Sequence, residues 1–111
     1  MIIIISARDS KLESLTDPRF GRAAWFIKVD TETDQWEAFA NTAAAQSGGA
    51  GVAAAQFVID QKANAVVSGD FGPNASNAFK SANIVMHLFT PEVTTVQDAI
   101  DHFKQNKLPV F

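Results

Sequence analysis

The stretch Val66–Phe79, Val-Val-Ser-Gly-Asp-Phe-Gly-Pro-Asn-Ala-Ser-Asn-Ala-Phe, constrains this chain more than any other. Ala65–Val67 reads as a short buried strand and Ser68–Gly72 as a tight loop. Pro73 stands where a helix begins, because its fixed φ suits the first helical position and its missing N–H is not needed there. A strand that turns through glycines into a helix is a βα unit. The N-terminus of such a helix aims free backbone N–H groups at whatever lies above the sheet.

The remaining elements arrange themselves around this unit. Ile2–Ser6 is a continuous run of mostly β-branched apolar residues, suited to a central strand buried on both faces. Ala7–Arg22 is a long loop with Asp17-Pro18 as a turn signal, and loops of this length are often binding loops. Ala24–Asp30 and Gln35–Ala40, joined by Thr31–Asp34, read as an antiparallel hairpin. A Gly- and Ala-rich segment leads into a helix over 51–63, whose Val52, Ala55, Val58 and Ile59 share one side. Further helices are expected over 73–82 and from Val96 to Phe103, with strand five over 84–89 between them. Thr94 or Thr95 caps the last helix, and Gln97 or Asp98 completes a capping box. Asn64 and Asn83 are both expected to end helices in the left-handed conformation. The apolar tail Leu108–Phe111 packs on the body or meets a second subunit.

Composition narrows the functions. A chain of 111 residues that is 47% apolar, with nine Phe, suits one packed domain over 1–111. It has no cysteine, hence no disulfide, thiolate nucleophile or Cys-held metal. No apolar run approaches a membrane span, which predicts a cytoplasmic protein with no membrane contact. The net charge of −3 weighs against nucleic-acid partners. All three arginines nevertheless fall in 8–22, which carries +1. A weakly basic loop on an acidic body can receive a small anion.

Strands four and five follow helices, so right-handed crossovers set them parallel to strand one. Four segments then converge on the carboxyl edge of the sheet: the 7–22 loop, Ser47–Gly51, Gly69–Asn74 and the end of strand five near His87. Ligands of open α/β sheets bind at this edge. The candidate binding set is Arg22, Gly48, Gly49, Ala50, Gly51, Gly69, Asp70, Gly72 and Asn74, with His87 as the candidate metal ligand. Each residue also has a plainer reading: glycines for turns, Asp70 as a helix-end carboxylate, His87 as a packed side chain. The Gly48–Gly51 loop lacks the Lys-Ser/Thr ending of a phosphate loop, and no Ser-His-Asp set is suggested.

Asp17 with Phe20-Gly21-Arg22, the strand carrying Phe26 and Asp30, Asn41, Gly49-Ala50-Gly51 with Ala54, and Gly69 with Gly72-Pro73-Asn74-Ala75 form an ordered set along nearly the whole chain. In these residues the chain resembles the dinitrogenase iron–molybdenum cofactor biosynthesis family, which includes NifX-like and NafY-like accessory proteins. The resemblance implies a ribonuclease-H-like α/β fold: a five-stranded mixed sheet of order 3-2-1-4-5 with strand two antiparallel, and three helices. It implies a non-enzymatic role in cofactor assembly, the binding or carriage of an anionic metal–sulfur cluster. An iron–molybdenum cofactor, its precursor or a molybdenum–copper sulfide cluster would be held non-covalently, and a cofactor-assembly or acceptor protein would be the partner. The chain itself is expected as a monomer or weak homodimer. Many members carry a His where this chain has Gly48. The competing readings are a protein-interaction or regulatory module and, less well supported, a metal-dependent nuclease. A nuclease of that fold usually places an acid in its first strand, and Ile2–Ser6 has none.

Overall fold

In the computed structural model, which describes residues 1–111, Ile2–Ala7 forms β1 at the centre of the sheet. Ile3, Ile4, Ile5 and Ala7 have no solvent exposure, as expected of a strand covered on both faces. The hairpin follows as β2 (Trp25–Asp30) and β3 (Trp36–Ala40), then β4 (Ala65–Ser68) and β5 (Val85–Leu88). The sheet order is β3-β2-β1-β4-β5. β2 is antiparallel to β1 and β3, whereas β4 is parallel to β1 and β5. This is the order and direction anticipated from the sequence.

The helices are α1 (Ala50–Asp60), α2 (Pro73–Ser81) and α3 (Val96–Lys104), with one 3₁₀ turn over Thr42–Ala45. α1 and α2 cover one face of the sheet through Ile4, Val66, Ala54, Val58, Ala75 and Phe79. α3 covers the other through Ile3, Ile5, Val67, Val96, Ala99 and Ile100. Alternate residues of β1 and β4 therefore feed two separate cores, the expected result of a period of two in a strand.

Seven phenylalanine rings run in contact across the first of these faces. Phe20 lies 5.3 Å from Phe26, 5.4 Å from Phe71 and 5.3 Å from Phe79 between ring centres. Phe57 joins Phe26 to Phe39, and Phe111 packs on Phe71 at 5.3 Å. Phe20 belongs to the β1–β2 connection, yet it is 3% exposed. The loop is thus anchored through the core, not laid over it.

Several sequence expectations change at the boundaries. α1 begins at Ala50 and ends at Asp60, shorter than 51–63. Its left-handed exit residue is Lys62 (φ 58°), not Asn64. The Asn64 side chain instead accepts a bond of 2.8 Å from the Ile2 N–H, setting the register where β1 meets β4. Asn83 does take the left-handed role (φ 59°), and Asn106 repeats it after α3 (φ 57°). Thr95 caps α3 in a box completed by Asp98. Its carboxylate is held below the usual range by the backbone N–H groups of Thr95 and Thr94. The tail packs on the body: Leu88 N–H donates to Pro109 O and Phe111 N–H to Met86 O, each 2.9 Å.

Replacing Phe20 by Ala should remove the ring shared by three aromatic neighbours. We expect a loss of about 3–5 kcal/mol of unfolding free energy, measured by urea titration.

Candidate functional site

The β1–β2 connection decides what stands at the carboxyl edge. Its first part folds back on itself: Arg8 N–H donates to Leu15 O (2.9 Å) and Asp17 N–H to Ser6 O (3.0 Å). Asp17 is 1% exposed, and its carboxylate accepts from the Arg19 backbone N–H at 3.0 Å and from Arg19 Nε and Nη2 at 3.1 Å each. Burial pushes the Asp17 carboxyl up, but the Arg19 bonds and charge, with Arg8 behind them, outweigh it and hold the group below its ordinary value. Beneath this turn the buried Ser6 hydroxyl donates to Asp17 O at 2.6 Å and lies 2.7 Å from Ser68 Oγ. The ends of β1 and β4 are tied together there.

Two glycines record how closely the segments approach. A Cβ at Gly69 would fall 2.5 Å from Pro18 Cβ and 2.6 Å from its Cα. One at Gly21 would fall 3.0 Å from Gly51 Cα. The β1–β2 connection is therefore pressed against both the β4–α2 loop and the first turn of α1. No such approach occurs at Gly48 or Gly72, where added Cβ atoms would meet nothing within 4 Å. Gly48 and Gly49 are exposed, and Gly49 adopts φ 73° at the helix entry.

The helix N-termini are not equivalent. α3 is closed: Val96 N–H donates to Ser14 O, Gln97 N–H to Leu12 O and Asp98 N–H to Thr95 Oγ1. The N-cap residues of α1 and α2 are Gly49 and Gly72, neither of which offers a side-chain cap. Their first intrahelical bonds start at Ala53 N–H and Ser76 N–H. The N–H groups of Gly51, Val52, Asn74 and Ala75 precede those bonds. The two starts also lie side by side, since a Cβ on Gly51 would rest 3.9 Å from Ala75 Cβ. Each N-terminus carries roughly half a positive charge.

The predicted residues sort accordingly. Gly48, Gly49, Ala50 and Gly51 lead into or open α1, while Gly69, Asp70, Gly72 and Asn74 lead into or open α2. Asp70 is exposed, and its carboxylate accepts from the Phe71 N–H at 2.8 Å, the behaviour of a loop-holding group. Arg22 is exposed, but Nη1 donates to both Ala44 O and Gln46 O at 2.6 Å. It braces the segment that leads to Gly48 and Gly49. His87 is not brought to this edge group: its neighbours lie on the α3 side of the sheet, with the ring 5.2 Å from Phe103 and Nδ1 donating to Leu108 O at 3.2 Å. No group of three His, Asp or Glu side chains is placed to hold a metal ion.

Two contributors escaped the candidate set. Asn41 accepts from Ala43 N–H and donates to Gly21 O (3.2 Å) and Ala23 O (2.8 Å), joining the 3₁₀ turn to the β1–β2 connection. Pro18 supplies the surface against which Gly69 fits. Asn41 lies next to a strand end, a position where a side-chain amide often bonds backbone; nothing local marks Pro18 as a partner of a residue 51 positions away.

Comparison with known proteins gives a consistent answer. The family model described as dinitrogenase iron-molybdenum cofactor matches residues 1–106. The apo form of the orange protein from Desulfovibrio gigas superposes with a TM-score of 0.92 at 34% identity, over 99% of this chain and 92% of that one. A candidate NifB protein from Thermotoga superposes with a TM-score of 0.85 at 31% identity, over 98% and 91%. An uncharacterized protein from Methanocaldococcus jannaschii is 29% identical over 97 residues, 85% of this chain and 80% of the relative. No helix of this chain is long and apolar enough to cross a membrane.

Two measurements check this geometry. Gly69→Ala should cost about 1–3 kcal/mol by overpacking against Pro18, whereas Gly48→Ala should stay within about 0.5 kcal/mol, both read from urea midpoints. Because the folded Asp17 carboxyl titrates below the unfolded value of about 3.9, its stabilisation is present above that pH. It is lost as pH falls through the lowered folded value. Asp17→Asn should therefore lower stability by about 1–3 kcal/mol at neutral pH and flatten the acid limb of the stability–pH curve.

Proposed function

The chain belongs to the dinitrogenase iron–molybdenum cofactor family, and on that premise we propose that it is a non-enzymatic carrier of an anionic metal–sulfur cluster. The cargo would be an iron–molybdenum cofactor, its precursor or a molybdenum–copper sulfide assembly. We read the sheet as ribonuclease-H-like, with the cargo seated at its carboxyl edge.

One observation carries this reading: two uncapped helix N-termini lie against each other at the end of β4, while the third is sealed by Leu12, Ser14 and Thr95. Open N–H groups at adjacent helix starts favour negative charge, by about 0.3–1 kcal/mol for each exposed terminus. They suit sulfide or oxo groups, which accept hydrogen bonds but need no protein ligand. The chain has no cysteine and two histidines, which agrees with a cargo that brings its own ligand shell. The arginine-bearing 8–22 segment adds positive charge at the same edge, and Arg22 fixes the approach to Gly49 through Ala44 and Gln46. Such holding leaves no covalent bond to break on transfer. A cofactor-assembly or acceptor protein is the partner that this role requires.

The test is uptake of tetrathiomolybdate, with and without Cu(I), by anaerobically purified protein. It is read after gel filtration by visible absorption and elemental analysis. Asn74 and Val52 are exposed in the first turns of α2 and α1. Asn74→Asp and Val52→Asp should each weaken uptake about tenfold by repulsion. The same substitutions should leave the melting temperature unchanged or raised, because a carboxylate there suits the helix dipole. Uptake that both variants leave untouched, or no uptake by the wild-type protein, would reject the carrier reading.

A further inference from the structure

The two edges of the sheet are finished differently. On the β5 side, Pro109 and Phe111 occupy the outward groups of Leu88 and Met86. On the β3 side nothing does so. Asp30 N–H donates to Gln35 O and Asn41 N–H to Ala24 O, each 2.9 Å. With the register Lys28↔Glu37 and Phe26↔Phe39, these bonds fix the alternation. Gln35, Glu37, Phe39 and Asn41 turn their backbone groups toward β2; Trp36, Ala38 and Ala40 turn theirs outward. Residues 36–40 include no Lys or Pro, the usual guards of an open edge. Trp36 is 43% exposed.

We propose that this edge pairs with the β3 edge of a second copy of the chain, antiparallel and centred on Ala38. That register is selected by the strand itself. It sets Trp36 against Ala40 of the other copy, Ala38 against Ala38, and Ala40 against Trp36, so every outward N–H and C=O is used. The large indole meets a methyl at both ends of the pairing. On the opposite face Glu37 meets Phe39, so the two glutamates are not directly opposed. Centring on Glu37 would set them opposite each other, which is unfavourable, and centring on Phe39 would leave Trp36 without a strand partner. The assembly stops at two copies, because the tail already closes the β5 edge. A five-residue edge buries less than a standard interface, so the dimer is weak and concentration-dependent. The inference rests on β3 alone and does not require a cargo at the carboxyl edge.

Sedimentation velocity from about 10 µM to about 1 mM chain tests the proposal, together with amide hydrogen exchange at both limits. We expect a dimer fraction that rises with concentration and slowed exchange at Trp36, Ala38 and Ala40. Ala38→Pro removes an N–H that bonds nothing within the chain, and Ala38→Lys adds an edge charge. Both should raise the dimer Kd at least about tenfold, with the far-UV spectrum and melting temperature unchanged. Should Ala38→Pro fail to fold, Ala38→Lys decides. A wild-type chain that stays monomeric to about 1 mM, with these amides unprotected, leaves the edge to a strand of another protein and overturns the proposal. A dimer that Ala38→Lys leaves intact overturns it too.

Discussion

Phe20 sits among Phe26, Phe71 and Phe79, with ring centres 5.3–5.4 Å away in each case. Its neighbours come from β2, from the β4–α2 loop and from α2, so one side chain fixes three elements relative to the β1–β2 connection. The polar turn just before it works toward the same end. Asp17 and Arg19 close the loop locally, and Ser6 pins its backbone to the end of β1. Pro18 is then held where Gly69 must pass it, and Gly21 where Gly51 must pass it. The connection that this buried ring anchors therefore meets both the first turn of α1, at Gly51, and the β4–α2 loop, at Gly69.

The strand directions could be read from the sequence because each clue was local. Ile2–Ser6 lacks polar alternation, the 24–40 region is a hairpin, and Pro73 marks a helix start; handedness sets strands four and five parallel to strand one, while the order 3-2-1-4-5 was implied by the family resemblance. The helix exits were less legible. Lys62 and Asn83 share one backbone conformation although only Asn has a recognised tolerance for it. Asn64 resembled Asn83 in its flanking residues, but its amide is engaged by Ile2 across the sheet. A bond between residues 62 positions apart leaves no mark in either neighbourhood.

At the candidate site the glycines were legible and the charged groups were not. Composition shows that Arg22 is one of three arginines near the edge; it does not show that Nη1 is already bonded to two carbonyls. His87 illustrates the effect of strand parity. Met86 faces the α1–α2 core and His87 the α3 side, so a position at the end of β5 was not enough to bring the imidazole to the glycine loops. The family assignment survives both findings, since it rests on the ordered set of residues along 1–106 and not on either side chain.

All six glycines, Gly21, Gly48, Gly49, Gly51, Gly69 and Gly72, lie in the three segments gathered at the carboxyl end of the sheet. The four non-glycine residues with positive φ, Asp34, Lys62, Asn83 and Asn106, all lie at the other end, in the hairpin turn and the three helix exits. The molecule therefore has two poles with opposite tolerance for sequence drift. At the amino pole, glycine is the one replacement that relieves backbone strain, and the chain does without it. At the carboxyl pole, side chains are excluded where backbone meets backbone, at Gly21 and Gly69, and are free to appear at Gly48 and Gly72. Variation among relatives of this fold has room to retune what the carboxyl pole holds at those two open positions, without disturbing the packing that brings its loops together.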